Sequence, residues 1–213
     1  MDDFNKKYPL IDILNVSRET CLEFETFASM VSEKNKEINI VSNSTEKKHD
    51  IMNRHILDTA QIIDFINLNS ESATDLGTGG GFPGITIAIM LKNHKRKIKI
   101  KLYEKSHHKG LFLKEVSKKL NLDTEVIKTN VFELKKLKTG SIMARAFRPL
   151  PAILNLAYDN FESYQNLILF MGKSGEETLK QTLVDWDLDF EKKKSITSKE
   201  SFLLNIKKIK KRN

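Results

Sequence analysis

One stretch, Asp75-Leu76-Gly77-Thr78-Gly79-Gly80-Gly81-Phe82-Pro83-Gly84, restricts what this chain can fold into more than any other. Five of the chain's nine glycines fall in it, and glycine weakens the interior of a helix or strand, so the segment is a turn. Residues 79–84 satisfy G-x-G-x-x-G. A predicted strand at about 72–76 precedes the turn, and Ile85-Thr86-Ile87-Ala88-Ile89-Met90-Leu91 follows it as a helix. Strand, glycine turn and helix form the opening unit of an open α/β sheet whose turn lets a ligand approach the backbone. Glu104 stands twenty residues beyond Gly84, at the end of the next strand, and is suited to accept hydrogen bonds from both hydroxyls of a ribose.

The rest of the chain alternates in the same way. Strands are expected at about 72–76, 97–103, 124–128, 140–145 and 165–171, with helices at about 84–92, 107–120, 149–160 and 174–184. Two last segments, about 187–193 and 201–208, read as an antiparallel pair closing the sheet edge. Before residue 70 the pattern is helical. Ser17 and Thr20 offer a start signal for a helix to about Lys36, a polar loop follows at 39–44, and a second helix spans about 47–68. The expected architecture is a mostly parallel seven-stranded sheet with an antiparallel edge and helices on both faces. Residues 1–70 form a helical cap on a ligand-binding domain of residues 71–213, in one compact unit.

Charge selects among ligands for the turn. A phosphate-binding loop needs Gly-Lys-Ser/Thr, but Gly84 is followed by Ile85 and Thr86. For a dinucleotide such as NAD, Asp75 at the strand end would repel the diphosphate. S-adenosylmethionine carries an ammonium and a sulfonium instead, which an acid there favours. A methyl donor is therefore preferred, with an NAD-dependent oxidoreductase as the alternative.

A net charge of +8 favours an anionic partner, nucleic acid first. The tail Lys207-Lys208-Ile209-Lys210-Lys211-Arg212 reads as part strand and part electrostatic arm. The single cysteine, Cys21, allows no internal disulfide, and no Cys/His cluster has metal-ligand spacing, so no metal is expected. With no secretory leader or membrane-spanning run legible, a cytoplasmic protein off the membrane is expected.

Four motifs give the chain a family resemblance. Lys34-Asn35-Lys36-Glu37-Ile38-Asn39-Ile40-Val41-Ser42 resembles W-N-K-x-x-N-L-T-S, with Lys34 in place of the aromatic residue and Val41 in place of threonine. Arg54-His55-Ile56-Leu57-Asp58-Thr59 resembles R-H-I-x-D-S, Asp75 to Gly84 resembles D-x-G-T-G-x-G-x-P-G, and Ala144-Arg145-Ala146-Phe147 resembles the core of S-R-A-F-A. Together they are similar to the RsmG (GidB) family of bacterial small-subunit rRNA methyltransferases.

The resemblance implies a class I, Rossmann-like methyltransferase fold, S-adenosylmethionine as donor and N7 of a guanine in 16S rRNA as acceptor. It implies cofactor contacts at Gly77, Phe82, Val131, Phe132 and Arg145, with Asp75, Gly79 and Glu104 added by the reading of the turn. Phe132 stands where the family often has a small or acidic residue, so a backbone contact is implied there. Guanine N7 is a bare lone pair and needs no general base. Arg145 is the candidate for positioning donor against acceptor, and no other catalytic residue is assigned. Candidate RNA contacts are Lys36, Arg54, His55, Lys109, Arg148 and Lys173; His108 replaces a basic residue of the family beside Lys109. The expected partner is 16S rRNA or the small ribosomal subunit, bound by a monomer. A non-catalytic RNA-binding assembly protein on the same fold is the further alternative.

Overall fold

Strand β1 (Ser72–Leu76) is buried at every position after Ser72, as a central parallel strand covered on both faces requires. Around it the computed structural model, which describes residues 6–93 and 97–212, assembles a seven-stranded sheet. On one side of β1 lie β2 (Lys99–Tyr103) and then β3 (Thr124–Ile127). On the other lie β5 (Ser141–Ala144), β7 (Asn166–Met171), β9 (Phe202–Lys211) and β8 (Trp186–Lys194). All pairs are parallel except those made by β9, which runs antiparallel to β7 and β8. Two short strands, β4 (Leu137–Lys138) and β6 (Phe161–Ser163), pair separately. The chain leaves β1 in one direction and returns through β5 in the other, which opens a crevice at the carboxyl ends of these strands.

Every strand and helix expected after residue 70 is present, with ends shifted by up to three residues. The helices are α3 (Gly84–Asn93), α4 (His107–Lys119), α5 (Leu150–Asn160) and α6 (Gly175–Thr182). Before them, α1 (Arg18–Asn35) starts where Ser17 accepts the Thr20 N–H on its hydroxyl, satisfying one of the donors a helix start leaves free. The opening residues used in judging the absence of a leader lie partly outside the described residues.

Alternation along the strands sorts the core into two faces. Ala73, Ile100, Leu102, Met143, Ile168 and Leu203 join α3, α4 and the apolar side of the helical front, including Phe24, Phe27 and Val31. Leu76, Ile142, Ala144, Leu167 and Leu169 face the other way, onto Leu150, Leu154 and Ala157 of α5. The front thus shares one core with the sheet. Cys21 is a buried member of that core.

Three expectations are corrected. The second front helix is not regular: α2 (48–60) consists of an α-turn at Lys48–Ile51, a π-helical stretch at Met52–Leu57 and a further turn at Asp58–Ala60, followed by a separate 3-10 turn at Ile63–Phe65. Within the wide stretch the Arg54 carbonyl accepts from Arg145 and the His55 carbonyl from the Thr59 hydroxyl, side-chain bonds of the kind that insert into a helix ladder. The loop at 39–44 is not wholly polar, since Ile40 and Val41 are buried. The basic tail is strand through Lys211, and its lysines lie opposite Asp187 and Asp189 in register, with Lys207 and Lys211 paired to Glu191 and Asp159. Local acids balance the charge that the sequence offered as an arm.

Gly84 marks a close contact between the start of α3 and the sheet. A Cβ there would strike Leu102 and come within 2.7 Å of the Asp75 carboxylate. Gly84→Ala is expected to cost about 1–3 kcal/mol, the usual range for forcing a methyl into a packed core. Urea unfolding checks it; an unchanged midpoint would contradict the packing described.

Candidate active site

The turn after β1 is built from backbone that only glycine adopts easily. Gly77, Gly79 and Gly81 have φ of 65°, 56° and 96°. These three lie in D-x-G-x-G-x-G spacing, so the G-x-G-x-x-G reading is shifted: Gly84 is needed for close approach, not for its φ. Thr78 N–H donates to the Tyr103 carbonyl, and Gly81 and Phe82 N–H donate to the Thr78 carbonyl, which locks the turn onto β2.

Asp75 lies beneath this turn and not in the crevice. Its side chain is fully buried, and Oδ2 accepts the Gly84 N–H at 2.7 Å. Burial pushes the carboxyl up to about 7, opposed by that hydrogen bond. Oδ1 has no partner, nor has the nearby Thr78 hydroxyl. The expectation that Asp75 meets a ligand directly is therefore corrected: it lies under the backbone, because the close seat of Gly84 leaves the carboxyl group facing the helix start.

Above the turn lies a cleft of about 710 Å³. Gly77, Gly79, Phe82, Glu104, Val131, Phe132 and Arg145, all expected from the sequence, line it. Glu104 is held by two backbone donors, Gly79 N–H at 3.0 Å and Ser106 N–H at 2.7 Å, which fix its orientation and leave lone pairs for a ligand. Gly77 meets the ring of Phe147, which no larger residue at 77 would tolerate. Phe147 stacks on Phe132 at 5.9 Å, and the Arg148 guanidinium sits over Phe132 at 5.9 Å.

The front supplies another wall. Asn35, at the end of α1, accepts the Ile40 and Val41 N–H groups on one oxygen, both at 2.8 Å. That clamp presses Ile40 against Gly80, where a Cβ would come within 2.7 Å of the Ile40 side chain. Phe82 packs between Phe27 of α1 and His55 of α2, each at 5.1 Å.

Arg145 is the knot of the site. Its guanidinium donates to His55 Nδ1 at 2.9 Å and to the Arg54 carbonyl at 2.7 Å, and pairs with Asp58 at 3.2 Å. A ring that accepts at Nδ1 must carry its proton on Nε2, which donates to the Thr45 hydroxyl at 3.0 Å. Burial first, then Arg145 and Arg54, lower the His55 pKa to about 4. Both ring nitrogens are occupied within the fold, so His55 positions Arg145 and is corrected as a candidate phosphate contact.

Among the other basic candidates, Lys109 and Arg148 line the cleft, and Arg54 is exposed beside it on a second cavity. Lys36 and Lys173 line neither and are paired at the surface with Glu33 and Glu200. Asn35, Thr45, Ile40, Val41 and Asp58 were given no role from the sequence. All but Thr45 stand in the family-like motifs, and that was the available signal.

The chain matches the family model described as rRNA small subunit methyltransferase G over residues 20–206. It is 60% identical to the Ribosomal RNA small subunit methyltransferase G of Pelagibacter ubique, covering 100% of both chains. It is 35% identical to the protein of that name from Bartonella tribocorum, over 94% of this chain and 93% of the relative. Among solved structures it resembles a SAM dependent methyltransferase from Aquifex aeolicus, with TM-score 0.55 and 15% identity over 82% of this chain and 97% of that one. It also resembles the 16S rRNA methylase RmtB, with TM-score 0.53 and 11% identity over 91% and 76% of the two chains. These two likenesses establish the fold.

Two outcomes follow from the geometry. Asn35→Ala removes both clamping bonds, and amide exchange at Ile40 and Val41 is expected to quicken by about 10-fold, the equivalent of one to two ordinary hydrogen bonds; hydrogen–deuterium exchange reads it directly. His55 is held neutral in the fold but protonates near its usual value when unfolded, so its contribution is intact above about pH 6.5 and lost as pH falls toward 4. The decline should approach about 1.4 kcal/mol per pH unit and shrink in His55→Gln. Equal acid sensitivity in urea melts of the two proteins would remove His55 from this role.

Proposed function

The chain belongs to the rRNA small subunit methyltransferase G family, and from that membership and the cleft we infer its reaction as transfer of the methyl group of S-adenosylmethionine to N7 of a guanine in 16S rRNA. It is an S-adenosylmethionine-dependent rRNA methyltransferase. The observation that carries the reading is the cleft of about 710 Å³ at the switch point between β1 and β5, floored by the glycine turn and faced by the oriented carboxylate of Glu104. Family membership disfavours the dehydrogenase and the inactive assembly factor.

The residues present fit the donor. The backbone at Gly77 and Gly79 lies open to a ligand, Glu104 has acceptor capacity for a ribose diol, and Ile40, Phe82 and Val131 offer apolar wall. Under the turn, burial raises the Asp75 carboxyl to about 7 with one oxygen unpartnered, so a cationic ligand end resting above it would favour its charged form. When bound, S-adenosylmethionine supplies a methyl group made electrophilic by its sulfonium.

The protein's own part is alignment. A guanine N7 lone pair carries no proton, so attack along the line of the sulfur–methyl bond needs placement and no base. Placement of this kind is worth up to about 7–11 kcal/mol in favourable intramolecular cases. The carboxylate and the imidazole that line the cleft suit this chemistry, since Glu104 is held by backbone donors and His55 by Arg145 and Thr45. Arg145 keeps the rim between the front and β5 rigid, and Ala146 turns the chain away behind it in a left-handed conformation, φ 51°. Lys109, Arg148 and Arg54 are the proposed phosphate contacts; Lys36 and Lys173 have a smaller part, being already paired.

The front, residues 1–70, serves in this reading as a cap that walls the donor site of residues 71–213. A cytoplasmic monomer is proposed, and among the described residues no helix is long and apolar enough to cross a membrane. The test is mass spectrometry of small-subunit rRNA fragments after reaction with isotopically labelled donor, which should locate a single methyl group on guanine N7. Gly77→Val, strained by φ and blocked by Phe147, should lower transfer by at least about 100-fold, equivalent to about 2.8 kcal/mol. A labelled site at another atom, or full activity in the variant, would overturn the reading.

A further inference from the structure

The donor cleft uses only one half of the crevice. On the other side of Arg145, over the carboxyl ends of β5 and β7 and the start of β9, lies a second cavity of about 700 Å³, close in volume to the first. The two share His55, Arg145 and Ala146 as a partition. Nothing in the donor's chemistry requires the second one.

Its walls are assembled by long-range contacts. The loop joining β8 to β9, Ser195-Ile196-Thr197-Ser198-Lys199-Glu200-Ser201, is tied down onto α2 and the residue following it. Asp58 accepts from the Ser195 and Thr197 hydroxyls, and Gln61 accepts the Ile196 N–H at 3.1 Å. The other oxygen of Asp58 pairs with Arg145 at 3.2 Å, so one carboxylate fixes both the loop and the partition. Ser198 and Ser201, which bond to each other at 3.1 Å, present hydroxyls on the same wall. Phe170 adds an aromatic surface, with the Arg145 guanidinium 6.0 Å over its ring. Arg54 completes the lining with an exposed side chain, and no carboxylate of the described residues lies within ion-pair distance of it.

A free guanidinium, a row of hydroxyls and an aromatic face suit a phosphate, a sugar diol and a base in turn. We propose that this cavity seats one purine ribonucleotide unit of the acceptor RNA, its phosphate against Arg54, its ribose against Ser198 and Ser201, and its base toward Phe170 and the Arg145 partition. The inference rests on the methyltransferase reading above, and adds where the RNA strand enters. It also gives Asp58 a purpose, as the positioning residue that builds this RNA-binding cavity from the cap and the terminal hairpin.

The test uses guanosine 5′-monophosphate as probe, titrated by calorimetry into the full chain with S-adenosylhomocysteine filling the donor cleft. Saturable binding is expected, weakened at least about 10-fold by Ser198→Trp, which fills the cavity, and by Arg54→Glu, which reverses its charge; this corresponds to about 1.4 kcal/mol. The KM for rRNA should rise by a similar factor while the Kd of S-adenosylhomocysteine stays within about two-fold. Probe binding and rRNA KM unchanged in both variants would overturn the proposal, as would an equal loss of S-adenosylhomocysteine affinity, which would assign the cavity to the donor. Should Ser198→Trp fail to fold, the exposed Arg54→Glu decides alone. Absence of methyl transfer in the wild-type chain would instead count against the parent reading, and is told apart by whether the probe still binds.

Discussion

The glycine turn after β1 is closely packed on every side but the cleft, and the other parts of the site are arranged against it. The cap presses Ile40 onto Gly80, β2 brings Leu102 against Gly84, α4 brings Leu113 toward Gly81, and the segment after β5 lays Phe147 on Gly77. Each approach is possible only because no Cβ stands in the way. At the centre, the buried carboxylate of Asp75 takes the Gly84 N–H and ties strand to helix. The floor of the donor cleft is therefore backbone, held from four directions.

A second constraint joins the helical front to the sheet. Arg145 leaves the end of β5 and makes its hydrogen bonds and ion pair with α2, through His55, the Arg54 carbonyl and Asp58. The arrangement explains why α2 departs from a regular helix where it does: the wide stretch spans Met52 to Leu57 and holds both Arg54 and His55. It also places a cation between two cavities of similar size without leaving that cation free to bind a phosphate. The surface charges available for RNA are instead Lys109, Arg148 and Arg54 at the rims, while much of the positive tail is neutralised across the β8–β9 pairing.

Much of this was legible beforehand, for reasons that are local. Strand and helix periods after residue 70, the Ser17 cap and the antiparallel final pair depend on short windows of sequence, and they were read with small shifts at the ends. Of the candidate cofactor residues, Gly79 and Glu104 followed from the turn and the strand after it, Gly77 and Val131 from the family resemblance, and all four line the cleft. The reading of Asp75 placed it at the ligand, whereas it is buried under the turn. A carboxylate beside a turn can face the ligand or the helix start, and only the depth of the Gly84 seat decides between them.

The chain's own pattern determined the order of strands and helices and the location of the turn, and excluded a phosphate-binding loop there, because hydrophobic period, glycine conformation and the missing lysine after Gly84 act over a few residues. It also carried Asn35 and Asp58 in view without a role. Tertiary structure alone decided that Asn35 clamps Ile40 and Val41 over the donor cleft, that His55 is spent on Arg145, and that Asp58 binds a loop some 137 residues away at Ser195. Those outcomes depend on which polar groups are buried together, and a buried donor or acceptor takes whatever partner the packing brings, however distant in sequence.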